Sequence, residues 1–283
     1  VGAVPPHARH PPRSASPALR RPGGRLAGIR VRIDRYLLNV AGPRRTPALN
    51  RHLAYLLALV AGVLNSVGFV AVAVYTSHMT GLTAMVADHL VLGDLRLVLA
   101  GLLALVAFTA GAACCALMFN WARRRRLHSR LANVLLLEGL LMLLFGLLAE
   151  SLTWAHRDLL FIPVLAFTMG LQNAVITKIS GATIRTTHVT GMITDIGIEL
   201  GKFAYRNRLP ASDPVTGDAA KLRLLAALVG LFFAGGVLGA LGYLAVGFPV
   251  LVPTALTLLV AAWRPLAADL GLRRPRPPRP SRA

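Results

Sequence analysis

Hydrophobic positions in this chain fall in long blocks rather than in the two-residue alternation of a half-buried strand. Six blocks, near 53–75, 97–120, 131–149, 159–177, 223–246 and 247–263, come to roughly the 20 residues that carry an α-helix across a bilayer. The first, LAYLLALVAGVLNSVGFVAVAVY, holds no charged residue, and the third holds only Glu138. Gly247, Phe248 and Pro249 separate the last two, where a proline suits a tight turn because it cannot continue a helical ladder without loss. The pattern predicts an all-α, polytopic membrane helix bundle with six transmembrane helices.

Two segments between the blocks resemble one another. TSHMTGLTA starts at Thr76 and TTHVTGMIT at Thr186, and the shared core reads Thr, hydroxyl, His, apolar, Thr, Gly. The likeness extends upstream, where GVLNSV at Gly62 and GLQNAV at Gly170 share Gly, Asn and Val at equal spacing. The unit is therefore one span, a motif segment and two further spans, written twice. Three spans per unit reverse the direction of the second copy, so the expected relation is a pair of inverted repeats, about 51–150 and 159–265, within a transmembrane domain of 51–265. Each repeat adds an amphipathic or re-entrant helix at its motif. Counting the motif segments as full spans would give eight crossings. It would also send Arg123 to Arg126 to the opposite side and put Asp195, Glu199 and Lys202 in a lipid-facing span, which is costly.

Charge then changes the picture. A formal net charge of +20 is the footprint of a nucleic-acid binder when it lies on one surface. Here 29 of the 31 Lys and Arg fall in 1–52, 121–130, 178–223 and the segment from 264 onward, leaving only Arg96 and Arg157 elsewhere. Those are alternate connections of a six-span chain, so basic residues retained on the cytoplasmic side put both termini there. The basicity is topological, and nucleic-acid binding is not expected. Residues 1–50 and 266–283 read as disordered basic tails, rich in Arg and Pro, able to touch anionic lipid. Trp121 and Trp263 sit at span ends and Trp154 in a short connection, where an indole anchors at the interface.

Candidate chemistry concentrates on the motifs. Thr76 and Thr186 are positioned to cap helices, and Gly81 and Gly191 to let a neighbouring backbone approach. On a helical wheel His188, Asp195 and Glu199 share a face, as do His78 and His89 in the first copy. A proton or cation relay can use such groups, whereas helix-end hydrogen bonding is the simpler use of the two histidines. Glu138 sits about 10 Å into the third span and must face the bundle interior, carry a proton or find a partner such as a histidine or a second-span hydroxyl. Asn65, Gln172 and Asn173 are polar inside spans and can bond across helices or line a path. The candidate route for a solute or ion is His78, Thr80, Gly81, Glu138, His188, Thr190, Gly191, Asp195 and Glu199. Gly235 and Gly239 have the spacing of a packing face. The adjacent Cys114 and Cys115 cannot pair with each other on a helix and read as small fillers.

No phosphate-cradling glycine loop, spaced Cys/His metal signature or nucleophile-and-base set is present, so enzyme chemistry, metal and cofactor are not expected. With TSHMTG, GLQNAV, TTHVTG and the six-span layout together, residues 50 to 265 resemble the YoaK-like family of bacterial inner-membrane proteins, whose activity is uncharacterised. That family often carries Asn where Leu82 follows Gly81 here. The resemblance implies a fold and an inner-membrane location. The expected function is a transporter or channel for a small solute or ion. The alternative is a scaffold or sensor whose repeated motif only locks helices together.

Overall fold

The computed structural model describes residues 36–42, 46–127, 129–153, 157–180, 187–207 and 213–271. Residues 36–40 are helical, and Val40 and Ala41 are buried in the main core, so the packed unit begins ahead of residue 51. Residues 47–50 and 266–269, expected in the tails, are helical as well, because the first and last spans extend into them; residues 1–35, 43–45 and 272–283 lie outside the described residues, as do Trp154 and Thr186.

Among the described residues eight helices longer than one turn follow: α1 Pro47–Val72, α2 Met79–Leu92, α3 Leu95–Arg124, α4 Ala132–Leu148, α5 Asp158–Ser180, α6 Val189–Ala204, α7 Ala219–Val246 and α8 Leu251–Asp269. Six of them, with the short 3₁₀ turns Ala149–Ser151 and Phe248–Val250 extending α4 and α8, are long and apolar enough to cross a membrane. At 1.5 Å per residue α2 and α6 reach only about 21 and 24 Å, short of the roughly 30 Å hydrocarbon core.

Local chemistry sets the helix ends. Thr46 caps α1, accepting from the Leu49 N–H at 3.3 Å, with Pro47 next to it, the position where a missing N–H costs least. Asp94 caps α3 and Asp218 caps α7 in the same way. Gly247, at φ 72°, ends α7 in a conformation that disfavours a side chain and turns the chain into α8.

Packing pairs helices from opposite halves. α1 lies along α7, α3 along α5, and α4 along α8, while α2 packs on α3, α6 on α7, and α1 also meets α5. The scheme is unchanged when α1 is exchanged with α5, α2 with α6, α3 with α7 and α4 with α8. Glycines make the close approaches. A Cβ added to Gly62 would collide with the carbonyl oxygen of Phe232, and one on Gly235 with that of Leu59. In the other pair Gly170 meets the Phe108 carbonyl and Gly111 that of Phe167. Gly62 and Gly170 are the matched glycines of GVLNSV and GLQNAV, and Leu59 and Phe167 stand three residues before them. Gly239, seated on Val63, joins Gly235 as the packing face its spacing predicted. Phe145, Phe161, Phe248 and Tyr243 meet edge-to-face at 5.0–5.2 Å where α4, α5 and the α7–α8 turn converge, a favoured aromatic geometry.

Candidate functional site

The two asparagines of the repeated GxxNxV segments hold the chain that follows their helices. Asn65, 8% exposed, accepts at Oδ1 from the Ser77 hydroxyl (2.7 Å) and the Ser77 backbone N–H (3.4 Å). Asn173 accepts at Oδ1 from the hydroxyl of Thr187, while its amide Nδ2 donates to the Met169 carbonyl at 2.8 Å. Ser77 and Thr187 are the hydroxyl positions directly before His78 and His188, so one clamp occurs in both halves. Each asparagine stands seven residues before the end of its helix.

Gln172, fully buried beside Asn173, turns the other way. Its Nε2 donates to the Leu57 carbonyl of α1 at 2.8 Å, and its Oε1 has no hydrogen-bond partner among the described residues. Thr76 Oγ1 is likewise buried and unpartnered. The sequence reading made Thr76 a helix cap, but α2 starts at Met79 with His78 in the cap position and no side-chain cap bond. A turn closed by the His78 N–H on the Tyr75 carbonyl (3.2 Å) folds Thr76 down against Gly68 of α1 instead. The same reading gave Gly81 and Gly191 a neighbouring backbone. Gly81 faces the imidazole of its own His78, and nothing lies within 4 Å of a Cβ at Gly191. His78, Thr80, His188 and Thr190 are exposed, and a pocket of about 200 Å³ opens beside His78, Gly81 and Tyr75.

Glu138 is the sharpest feature. It is 0% exposed in the middle turns of α4, and neither carboxyl oxygen has a hydrogen-bond partner among the described residues. The expected histidine or second-span hydroxyl does not reach it; Thr109, the hydroxyl within α3, donates back to the Leu105 carbonyl.

Of His188, Asp195 and Glu199, placed on one face by their spacing, Asp195 and Glu199 are brought together by Lys221. A shared wheel angle says nothing of axial distance, and eleven residues from His188 to Glu199 span about 16 Å. Glu199 instead joins the start of α7, where its Oε2 accepts from the Asp218 backbone N–H at 2.9 Å. Oε1 faces the ammonium groups of Lys202 (3.0 Å) and Lys221 (3.4 Å). Lys221 also approaches Asp195 at 3.7 Å. The Asp218 N–H and the Lys202 ammonium hold the Glu199 carboxyl well below its ordinary range, at about 2. The charged side of α6 therefore faces protein, while Ile193, Ile198, Leu200 and Phe203 face outward. Only Glu199 is fully shielded by α7, whereas the Asp195 and Lys202 side chains stay 45% and 38% exposed, which suits a helix that is not one of the six spans. Among the described residues, no three of His, Cys, Asp and Glu gather as a metal site would require.

Sequence reasoning missed Thr76 as a buried hydroxyl and Lys221 and Asp218 as partners of Glu199. For Ser77 and Thr187 the signal was present, since a hydroxyl recurs directly before each motif histidine, 12 and 14 residues after the repeated asparagine. No curated protein and no solved structure matches the chain. Residues 53–263 match the family described as "Protein of unknown function (DUF1275)", and the chain belongs to that family.

Proposed function

We propose that the protein is a multi-pass transporter or channel of a bacterial inner membrane, built from two inverted halves, with both termini cytoplasmic. The observation that carries this reading is Glu138, a carboxyl buried in a membrane-length helix with neither oxygen partnered among the described residues. A native fold rarely leaves a buried polar group unsatisfied without a reason, and an ionisable side chain at membrane depth is by default part of a pathway. Gln172 Oε1 and Thr76 Oγ1 add two more buried acceptors without a partner among the described residues.

The inverted arrangement is supported by packing that survives exchange of the halves and by matched glycine and asparagine contacts. With six crossings, the Asn65–Ser77 clamp falls at one face and the Asn173–Thr187 clamp at the other. Glu138 and Gln172 then stand about 10–12 Å in from the side where α4 begins and α5 ends. Amides, hydroxyls and one carboxyl suit a cation or a neutral hydrogen-bonding solute better than an anion. The basic connections fall on the side that begins and ends the chain, as retention of Lys and Arg in the cytoplasm requires, and lipid is the immediate partner of the exposed leucines.

The scaffold-or-sensor alternative draws on the clamps themselves. Each ties a loop to its helix with hydrogen bonds that need no ligand. Thiol labelling separates the two readings. In a background with Cys114 and Cys115 replaced by Ser and Ala, Glu138→Cys is exposed to a membrane-impermeant cationic thiosulfonate from each side in proteoliposomes. Thiosulfonates react with thiolate, which needs water. Modification from either side supports a path, and complete protection from both leaves only packing.

A further inference from the structure

At the far end of the molecule from the clamp on Asn65, α3 meets α4. These two helices are consecutive in the chain yet barely touch, and a groove of about 530 Å³ opens between them. Along α3 its wall is Leu117, Met118 and Trp121; along α4 it is Leu136, Leu137 and Leu140, with Asn133 in the first turn. The spacings i, i+1, i+4 and i, i+3, i+4, i+7 each mark one face of a helix. The lining therefore runs about 10 Å along the helix axes, within one leaflet of a bilayer.

The polar residues all lie at one end. Asn133 and Trp121 sit beside the turn that carries Arg123, Arg124, Arg125 and Arg126, all exposed. None of the four forms an ion pair with a described residue. The Arg125 guanidinium lies over the Trp121 ring, 5.7 Å from its centroid, which holds one cation at the groove's edge. Arg126 takes a left-handed backbone, φ 55°, and so turns the chain sharply just past the helix. Two basic residues in the last turn suffice to complement the α3 terminus. Neither that effect nor cytoplasmic retention accounts for an apolar slot that ends on an arginine stacked over its own indole.

We propose that this groove binds one anionic phospholipid. An acyl chain lies against Leu117, Met118, Leu136 and Leu137, and the headgroup phosphate is held by the arginine turn and the Asn133 amide. An arginine fork suits phosphate oxygens geometrically, and apolar walls below it select a phosphate that carries a chain. The site is separate from the proposed solute route and stands whether or not the protein transports anything.

Quenching of Trp121 tests this directly. In a W154F/W263F protein Trp121 is the sole indole, and brominated lipid quenches it on contact. The protein is reconstituted in phosphatidylcholine vesicles titrated with brominated phosphatidylglycerol or brominated phosphatidylcholine. Half-maximal quenching is expected at an at least about fivefold lower mole fraction of the anionic lipid. That ratio should fall to near one in R123Q/R124Q/R125Q/R126Q, and should shrink at about 0.5 M salt, where exposed charges are screened. Inorganic phosphate should leave the quenching unchanged; competition by it would mean a free-anion site and overturn the proposal. Equal quenching by the two lipids overturns it as well. If the fourfold variant does not reconstitute, the salt series on the unsubstituted arginines decides, because a ratio indifferent to salt excludes a headgroup held by charge.

Discussion

Ser77 reaches Asn65 twice, its hydroxyl at 2.7 Å and its backbone N–H at 3.4 Å from the same Oδ1. Removing that acceptor leaves two donors near the membrane boundary with nothing in their place. Asn65→Ala is expected to lower stability by about 1–2 kcal/mol, read as a drop in Tm in detergent by circular dichroism. Asn173→Ala, which strands the Thr187 hydroxyl, should move Tm in the same direction. Thr83→Ala should stay within about 0.5 kcal/mol, since that hydroxyl only bonds back to Met79 of its own exposed helix.

The glycines make a paired prediction. Gly62→Ala pushes a methyl into the Phe232 carbonyl and Gly170→Ala pushes one into that of Phe108. Each is expected to cost about 1–3 kcal/mol, the usual penalty of overpacking, and the two costs should be similar because the contacts correspond. Gly197→Ala on α6 meets open space within 4 Å and should instead raise stability, by up to about 1 kcal/mol, through helix propensity. Denaturation of the three variants side by side checks sign and size.

Much of the fold was legible in the amino-acid pattern, and the limits have physical causes. Span positions follow from apolar length, which is local, so all six emerged, with the largest misses six residues at Pro47 and Asp269 where polar turns extend the helices, and Gly247–Pro249 marked its turn. Partner choice is not local. Nothing in the composition of α1 says that it lies along α7 rather than a sequence neighbour; that depends on glycine carbonyl contacts visible only in three dimensions. Thr76 reads as a cap until the Tyr75–His78 turn buries it. Glu199 looks costly in an apolar segment until α7 supplies Lys221 and the Asp218 N–H. Glu138 was legible as a buried carboxyl, but its lack of a partner was not, since spacing cannot exclude a neighbour from another helix.

Acid should erode the stability that the contact between α6 and α7 contributes. The Glu199 carboxyl is held at about 2, against an ordinary value of 4.5, by the Asp218 N–H and Lys202. A folded value below the unfolded one means that the unfolded chain takes up the proton first as pH falls. The stabilisation is therefore complete above pH 4.5 and declines progressively as pH drops toward 2. Tm followed from pH 7 to pH 2.5 should fall below about pH 4.5 in the unaltered protein. Glu199→Gln should start lower at neutral pH and show a shallower acid slope.

Glu138 predicts opposite effects on stability and on activity. Leucine fills a similar volume without polar atoms, so Glu138→Leu removes an unsatisfied buried group and should stabilise the protein by about 1–3 kcal/mol. If the carboxyl belongs to a route, the same variant loses solute or ion flux in proteoliposomes. A destabilised Glu138→Leu would instead mean that the carboxyl is held by a structural partner.

The account depends most on two halves that point in opposite directions, each presenting its histidine motif at a different face of the membrane. His78 and His188 are both exposed, which makes them suitable reporters. In the background lacking Cys114 and Cys115, His78→Cys and His188→Cys are labelled with an impermeant maleimide on sealed, right-side-out vesicles and again after permeabilisation. Cys at 78 should label on the sealed vesicles and Cys at 188 only once the inner face is opened. Labelling of both positions from the same side would contradict the inverted arrangement and the route that runs between the two motifs.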